Sequence, residues 1–219
     1  MNRVEIKKEA KEFAFENKWN IWKVILIFMA IPFAVGLVTG FLGLGSKTII
    51  QGANSIKIVY NPIGQTISSI VSILLIPLSV GLDFYMLKLV RGKKTDIKDI
   101  FAKYKYFLPI IVITFLVGLF TSLWSLLFII PGIIYALKVA MVNFLMADEL
   151  DEDTSYLELI DKSKKMMDGH KWEYFVFNLS FIGWFLLCGI TFGIASIWVI
   201  PYYTTAKIMY YEKLKKLNK

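Results

Sequence analysis

The sequence predicts an all-α integral membrane protein that forms a single domain over residues 1–219. Three observations indicate this class. Of the 219 residues 57% are hydrophobic and only 19% are charged, whereas about one quarter of a typical soluble domain is charged. The apolar residues form continuous blocks rather than helical stripes, and the blocks are long enough for membrane spans of about 20 residues. The lysines cluster beside these blocks, which is typical of juxtamembrane segments.

The first predicted element is an amphipathic helix within residues 1–19. In the stretch "VEIKKEAKEFAFENK" apolar side chains alternate with charges, which suits a short helix lying on the membrane face. The apolar block that follows is too long for the hydrophobic region of a cleavable signal peptide.

Six transmembrane helices follow, as three consecutive hairpins. The loop of the first hairpin contains "TIIQGANSIKIVY", which forms either a small β-hairpin around Gly52-Ala53-Asn54 or a flexible loop. The next two apolar blocks are each about long enough for two spans, with turns expected in "GLFTSLW" and near "CGITFGI". The predicted spans are about 21–44, 66–90, 106–120, 123–147, 174–188 and 194–211.

The distribution of lysine and arginine predicts the orientation of these spans. Nineteen of the 25 basic residues lie in four segments, 1–19, 91–105, 148–173 and 212–219. The positive-inside rule therefore predicts that the N- and C-termini and both charged loops are cytoplasmic, which requires an even number of spans. Six spans satisfy this requirement, and four spans with two re-entrant segments are the alternative.

The most polar segment of the chain begins with an acidic run, Asp148, Glu149, Asp151, Glu152 and Asp153. The run lacks the alternating ligand spacing and the glycine of a calcium loop. We therefore interpret it as a solvated loop, followed by a helix after Thr154.

The second helices of the three hairpins share a repeat. They read "LLIPLSVGLDFYMLKLVRG", "FIIPGIIYALKVAMVNFLM" and "WVIPYYTTAKIMYYEKLKK", each with a proline followed by a charge six or seven residues later. The prolines remove a backbone donor and are expected to kink the helices, either as static bends or as hinges. The repeat consists of Pro77 with Asp83, Pro131 with Lys138 and Pro201 with Lys207.

The three charges at matched depth predict an intramembrane cluster. A lone carboxylate at Asp83 would cost about 3 kcal/mol, and Lys138 and Lys207 on the neighbouring repeats lower this cost if all three converge. Such a cluster is either a structural clamp or a site for an ion, a proton or an anionic headgroup. The hydroxyl groups that could bond to it belong to Tyr85, Tyr135 and Tyr203.

Two pairs of glycines have the spacing that allows close helix approach. They lie in "GLVTG" and "GITFG", and they predict helix packing within the fold, with homodimerisation as the alternative. The four residues are Gly36, Gly40, Gly189 and Gly193.

The sequence contains no pattern that indicates catalysis. No nucleophile elbow, P-loop, dinucleotide fingerprint or zinc-protease helix occurs, so we expect no enzyme activity, no cofactor and no catalytic residue. The single cysteine, Cys188, and the single histidine, His170, offer no metal site. The net charge of +8 resides in juxtamembrane lysines rather than in a patch with stacking aromatic residues, so we expect no nucleic-acid partner.

The segments "LWSLLFIIPGI", "GHKWEYFVFNLSFIGW" and "TFGIASIWVIPYY" resemble a family of bacterial multi-pass membrane proteins known as "domain of unknown function 975". The resemblance extends along nearly the whole chain. It implies a location in the bacterial cytoplasmic membrane, and it implies no particular chemistry.

Two functional hypotheses remain open. The first is a non-enzymatic membrane protein that acts through lipid or protein contacts, as an assembly factor, an accessory subunit or a protector against membrane-active peptides. Its partners are membrane lipids and, in some of these roles, another membrane protein or a second copy of the chain. The second is a small transporter or channel-like permease that uses the Asp/Lys cluster.

Overall fold

The computed structural model describes residues 2–44, 47–50, 56–59 and 61–218, and the described chain is predominantly α-helical. Two short strands lie between α2 and α3, namely β1 (Lys47–Ile50) and β2 (Ile56–Val59), and a 3-10 helix (Ile97–Tyr106) lies between α3 and α4. The helices are α1 (Arg3–Glu16), α2 (Lys18–Phe41), α3 (Pro62–Val90), α4 (Phe107–Leu127), α5 (Ile129–Lys138), α6 (Val142–Glu149), α7 (Tyr156–Met166), α8 (Lys171–Leu179), α9 (Ile182–Ile190) and α10 (Ser196–Leu217).

Asparagine side chains cap the first and third helices. The Asn2 Oδ1 atom accepts the Val4 N–H at 3.2 Å, and the Asn61 Oδ1 atom accepts the Ile63 N–H at 3.0 Å. Pro62 occupies the first position of α3, where its missing donor costs nothing because the first N–H groups of a helix have no partner in the helix. The helix therefore begins four residues before the predicted span 66–90.

The loop of the first hairpin contains a pair of antiparallel strands. β1 pairs with β2 so that Lys47 lies opposite Val59 and Ile50 lies opposite Ile56. Of the two alternatives for this loop, the β-hairpin is the one observed. Its central residues, Gly52-Ala53-Asn54, lie outside the described residues.

The turn between the third and fourth predicted spans lies further along the chain than predicted. Helix α4 continues through "GLFTSLW", and the connection is Phe128 alone, whose N–H donates to the Trp124 carbonyl at 3.2 Å. The prediction of a turn at 118–124 is therefore wrong. Residue types such as those of Gly118 and Thr121 are common in turns. An apolar environment nevertheless favours a continuous helix, because a helix satisfies the hydrogen bonds of the backbone internally. The Thr121 hydroxyl is also satisfied within the helix, since it donates to the Val117 carbonyl.

Two predicted spans are interrupted in the structure. The segment 123–147 contains a break at residues 139–141, between α5 and α6, and the segment 174–188 contains a break at Ser180 and Phe181, between α8 and α9. Pro131 lies in the first turn of α5, where a proline fits, so the prediction of a kink there is wrong. Pro77 and Pro201 lie inside α3 and α10, and the kinks at these two positions stay predictions.

One end of the molecule, which we call the packed end, contains most of the buried core. It combines α1, the first turns of α2 and α4, the C-terminal halves of α3 and α10, the 3-10 helix, and α6 to α8. Representative side chains that are completely buried here are Ile6, Met86, Ile110, Leu145 and Tyr211.

Helix α1 belongs to the packed end. Its buried residues Ile6, Ala10 and Ala14 lie on the face that packs against α10, and Glu9 forms an ion pair with Lys213 at 2.9 Å. The amphipathic pattern predicted from the sequence therefore serves contact with another helix of the protein. The location of α1 at the membrane interface stays a prediction.

The other end consists of three arms. The first arm comprises residues 26–44 and 61–76, the second arm residues 114–134, and the third arm residues 182–198. Beyond the packed end α2 and α4 contain no buried residue, and α9 contains none along its whole length. Large apolar side chains are exposed along all three arms, including Phe33, Phe41, Phe115, Leu126 and Phe192.

The glycines predicted to mediate helix packing do not do so within the described chain. A Cβ atom placed at Gly36, Gly40, Gly189 or Gly193 would meet no atom within 4 Å, because all four glycines lie in the arms. The closest approach occurs instead at Gly81, where a Cβ atom would lie 1.7 Å from the Ile100 carbonyl oxygen.

Candidate functional site

Asp83 and Lys207 lie within electrostatic range of each other in the packed end. Asp83 lies on α3 and is partly buried, and Lys207 on α10 is the cation that acts electrostatically on its carboxylate. Among the described residues Asp83 forms no ion pair within 4.0 Å, so this interaction is longer than a direct salt bridge. The Tyr174 hydroxyl on α8 also lies within electrostatic range of the Asp83 carboxylate. Asp83, Lys207 and Tyr174 therefore connect α3, α10 and α8 at this point.

The predicted tyrosines act around this pair rather than on the carboxylate itself. The Tyr203 hydroxyl donates to the Asn178 side-chain oxygen at 2.8 Å, and the Lys207 ammonium lies 4.7 Å from the centre of the Tyr203 ring. The Tyr85 hydroxyl donates to the Asn20 carbonyl at 3.3 Å. Tyr203 thus orients Lys207 through a cation–π contact, and Tyr85 connects α3 to α2.

Lys138 does not join Asp83 and Lys207. It is the last residue of α5, which packs against α4 and α8, and its electrostatic partner is Asp168. Of the two lysines in the predicted cluster, Lys207 is the one that acts electrostatically on Asp83, and the cluster as a site stays a prediction. Lys138 lies on a different side of the packed end because α5 and α10 pack against different neighbours.

A serine from α7 bridges the break between α5 and α6. The Ser163 hydroxyl donates to the Lys138 carbonyl at 2.9 Å and accepts the Met141 N–H at 3.2 Å. These two backbone groups lose their helical partners at the break, and Ser163 is completely buried. Helix α7 therefore stabilises the interrupted helix at the level of Lys138.

A network of ion pairs lies at the packed end, and the sequence did not predict it. The Arg91 guanidinium donates to both carboxylate oxygens of Asp148, at 2.6 and 2.7 Å, and to Glu212 at 2.6 Å. The Lys215 ammonium donates to Asp148 at 2.5 Å and pairs with Glu149 at 2.6 Å. This ionic network joins α3, α6 and α10.

The interpretation of Asp148 and Glu149 as part of a solvated loop is wrong. Both residues belong to α6, and the Asp148 side chain is only 9% exposed. The sequence does contain a feature that separates Asp148 and Glu149 from the rest of the acidic run. These two residues directly follow an apolar block, as Arg91 does, whereas Asp151 to Asp153 lie beyond the helix. Such positions place charges at the ends of neighbouring helices, where they can pair.

The two cations of the ionic network stay charged at neutral pH. Hydrogen bonds to Asp148 hold the pKa of Arg91 above its ordinary value. Burial acts to lower the pKa of Lys215, but hydrogen bonds to Asp148 and Glu149 outweigh burial and raise that pKa. Arg91 and Lys215 pair with three carboxylates, and Lys162 supplies a third cation by pairing with Glu149. This balance of charges suits a structural clamp between helices.

A pocket of about 480 Å³ lies where the second arm joins the packed end. It opens between α4, α5 and α7, and its lining combines aromatic and aliphatic side chains with two lysines. The lining residues are Phe120, Trp124, Pro131, Ile134, Tyr135, Lys138 and Lys164.

The helices define a membrane protein. Within the described residues five segments are long and apolar enough to cross a membrane. They are Lys18–Phe41, Pro62–Val90, Ile97–Leu127, Ile129–Glu149 and Lys171–Ile190. The predicted sixth span, 194–211, is not among these five, because the tyrosines and charges of α10 lower its mean hydropathy.

The chain belongs to the family described as protein of unknown function (DUF975). The family model matches residues 1–140 and 129–218, which together cover nearly the whole chain. The resemblance inferred from the sequence is thereby confirmed. No curated protein and no solved structure shows a significant match to the chain.

Proposed function

We propose that the protein is a non-enzymatic membrane protein that acts through lipid contacts, inserted with its three arms in the bilayer and its packed end on the cytoplasmic side. One observation carries the proposal: the arms differ in length, and the large exposed side chains at the tips of the two shorter arms are apolar. At the third tip the Thr191 and Ser196 hydroxyls donate to the backbone carbonyls of Leu187 and Gly193. The first arm crosses the bilayer, and the second and third arms enter only the cytoplasmic leaflet.

Helix lengths support the difference between the arms. From Asp83 to its first residue, Pro62, helix α3 extends about 32 Å, which matches the apolar thickness of a bilayer of about 30 Å. From Lys207 to its first residue, Ser196, helix α10 extends only about 17 Å. The ion pair of Arg91 with Glu212 sets a common level for α3 and α10. From this level Asp83 lies about 12 Å along α3 and Lys207 lies about 8 Å along α10. The third arm therefore ends near the middle of the bilayer.

The second arm ends at a similar depth. The ion pair of Arg91 with Asp148 sets a common level for α3 and α6. From this level Asp83 lies about 12 Å along α3 and Lys138 lies about 15 Å along α6 and α5, so the two charges lie at a similar depth. Helix α5 continues from Lys138 to the tip over 10 residues, or about 15 Å. The tip of the second arm therefore lies about 15 Å beyond the level of Asp83 and Lys138, which is about half of the apolar thickness of a bilayer.

The tips are suited to a hydrocarbon environment. Exposed fractions range from 64% to 85% over the consecutive residues Leu126 to Ile130, and Phe192 is 99% exposed. The backbone of the third tip is satisfied internally, since the Phe192 N–H donates to the Gly189 carbonyl and the Gly193 N–H to the Cys188 carbonyl. Irregular backbone in hydrocarbon requires such internal bonds.

The charges of the packed end support its location at the cytoplasmic surface. Helix α7 carries the exposed residues Asp161 and Lys165 at the level where Ser163 bonds to Lys138. Exposed charges of this kind are costly in hydrocarbon. The internal pairing within the ionic network supports a structural rather than a catalytic role for these charges.

Cysteine accessibility tests the depth of the arms. Cys188 is the single cysteine, so Cys188→Ala provides a background for Phe128→Cys and Phe192→Cys at the two tips. In liposomes we expect neither tip to react with an impermeant maleimide from either side, because a thiol reacts as the thiolate, which requires water. A fluorophore attached in detergent should be quenched most strongly by lipids that carry nitroxide near the end of the acyl chain.

Two control positions calibrate this experiment. Leu42→Cys at the outer end of the first arm should react from the outside, and Asp153→Cys beyond α6 should react from the cytoplasmic side. If Phe128→Cys and Phe192→Cys react from the outside as Leu42→Cys does, the arms cross the bilayer as six spans and the proposal is wrong.

A second candidate function is a small transporter that uses Asp83 and Lys207. The observation that favours it is the presence of two completely buried hydroxyl groups on α10, those of Thr205 and Tyr210, that have no partner among the described residues. A polar ligand or water could bond to them. If Asp83→Asn abolishes flux of a solute into proteoliposomes and leaves thermal stability unchanged, the transporter is supported and the lipid-contact proposal is contradicted.

A further inference from the structure

The pocket between α4, α5 and α7 has two chemically different parts. One part is apolar and aromatic, with Phe120 and Trp124 from α4 and Ile134 from α5. The other part carries the ammonium groups of Lys138 and Lys164, and Tyr135 lies between the two parts. The Tyr135 ring lies 6.3 Å from the Phe120 ring and 6.0 Å from the Lys164 ammonium. Such a lining complements a molecule with an anionic head and an apolar tail.

The charged part of the pocket has an excess of positive charge. Lys164 pairs with Asp161 at 2.9 Å and Lys171 pairs with Asp168 at 2.6 Å, and both aspartates are exposed. Exposed pairs of this kind contribute only about 0–1 kcal/mol, so an anionic ligand can compete with them. The charged groups around this part are Lys138, Lys164, Lys171, Asp161 and Asp168.

The two parts lie at different depths in the proposed insertion. The lysines lie at the level of α7, whose exposed charges belong at the headgroups, and Trp124 lies three residues from the end of α4, towards the tip of the second arm. The pocket therefore runs from the headgroup region into the hydrocarbon. A phospholipid in the cytoplasmic leaflet has this same arrangement of phosphate and acyl chain.

We infer that the pocket binds one anionic phospholipid of the cytoplasmic leaflet, with the phosphate between Lys138 and Lys164 and an acyl chain against Phe120, Trp124 and Ile134. The volume of about 480 Å³ accommodates the phosphate and the upper part of one chain, and the rest of the lipid follows the exposed surface of the second arm. The inference rests on the proposed function, because the lipid reaches the pocket only if the second arm lies in the membrane.

Fluorescence quenching of Trp124 tests the inference. The full chain is reconstituted in phosphatidylcholine vesicles that contain a small fraction of phosphatidylglycerol, and either lipid is brominated in its acyl chains. We expect brominated phosphatidylglycerol to quench more strongly than brominated phosphatidylcholine at the same mole fraction. Trp124→Phe should remove this excess, because the other five tryptophans do not line the pocket.

Charge variants identify the headgroup contact. In Lys138→Met/Lys164→Met the preference for phosphatidylglycerol should fall about thirtyfold, which corresponds to about 2 kcal/mol, or about 1 kcal/mol for each lysine near an anionic surface. Lys165→Met is the matched control, because Lys165 is exposed on α7 and does not line the pocket. Equal quenching by the two lipids in the wild type, or an equal loss in the Lys165→Met control, would overturn the inference.

Three further outcomes separate the alternatives. If glycerol phosphate at millimolar concentration abolishes the excess quenching, the site binds a soluble phosphate and the lipid assignment is wrong. In a second outcome the tips are accessible from the outside while the phosphatidylglycerol preference persists and depends on Lys138 and Lys164. In that case the proposed insertion is wrong and the inference of lipid binding in the pocket is supported. If the tips are protected but no preference exists, only the pocket inference fails.

Discussion

The packed end and the three arms both contain large apolar and aromatic side chains, but the two regions differ in what surrounds these side chains. In the packed end α10 buries Tyr210, Tyr211 and Leu214 completely, whereas in the arms Phe41 and Phe192 are more than nine-tenths exposed. The same kind of residue is therefore core at one end and surface at the other.

The difference shows what drives helices together in each region. Lipid chains solvate an apolar side chain as well as another helix does, so apolar surface alone gives helices in a membrane little reason to associate. The packed end contains the additional interactions that do so: the ionic network, the hydrogen bonds of Ser163, and the close approach at Gly81. The arms contain no residue of the ionic network, and their large apolar side chains are exposed.

Removal of Arg91 should cause the largest loss of stability. Arg91→Ala removes the bidentate partner of the nearly buried Asp148 carboxylate and the cation that pairs with Glu212. Lys215 is then the remaining cation on Asp148. Breaking a buried ion pair costs about 3–5 kcal/mol, and the retained Lys215 contact places the expected loss in the lower part of this range. The free energy of unfolding by dodecyl sulfate in mixed micelles measures the effect. Arg3→Ala is the control of the same residue type, since Arg3 is exposed on α1. Equal stability of the two variants would show that the network is not a clamp.

A pair of glycine substitutions compares the two regions directly. Gly81→Ala would bring a Cβ atom into contact with the Ile100 backbone, and such overpacking should cost about 3 kcal/mol. Gly36→Ala in the first arm meets no neighbour, so its stability should change by no more than about 0.5 kcal/mol. The same unfolding assay applies. Similar losses at both positions would indicate that the first arm also packs closely against a partner.

Loss of the Ser163 hydroxyl should have an intermediate effect. Ser163→Ala leaves the Lys138 carbonyl and the Met141 N–H without a partner at the helix break, which should cost about 1–3 kcal/mol. Ser72→Ala in the first arm is the control, because the Ser72 hydroxyl is exposed and bonds only within its own helix. Rapid amide exchange at Met141 in the variant would locate the effect at the break.

The smallest expected effect belongs to the pair of Asp83 and Lys207. A double-mutant cycle with Asp83→Asn and Lys207→Met should give a coupling energy of about 1 kcal/mol, because the groups interact without direct contact. Each single variant should lower stability in detergent. A coupling near zero would mean that the packed end does not depend on this pair.

Several features of the fold follow from local sequence. The amphipathic pattern of α1, the helix after Thr154 and the β-hairpin alternative for the first loop all agree with the structure. The end of α4 was predicted incorrectly, because glycine and serine indicate turns in water but are compatible with a continuous helix in an apolar environment. The prediction of helix packing at the glycine pairs was also wrong within the described chain, because the spacing of two glycines does not reveal whether another helix lies against them.

The candidate sites were only partly predictable. The sequence repeat identified Asp83 and Lys207, which interact, but the same repeat placed Lys138 with them. The ionic network was missed because Arg91 and Asp148 are separated by 57 residues, and an acidic run by itself resembles a loop. Lys164 was missed because nothing near it in the sequence indicates that α7 lies beside α5.

The sequence by itself determined that this is a helical membrane protein, because the hydropathy of a segment depends on adjacent residues. The tertiary structure alone decided which helices meet, where they break and which charges pair. These choices depend on contacts between residues far apart in the chain, and apolar residues of one kind suit both a protein core and a lipid-facing surface. The pocket with Lys138 and Lys164 is another feature that the tertiary structure alone decided, because its lining comes from three separate helices.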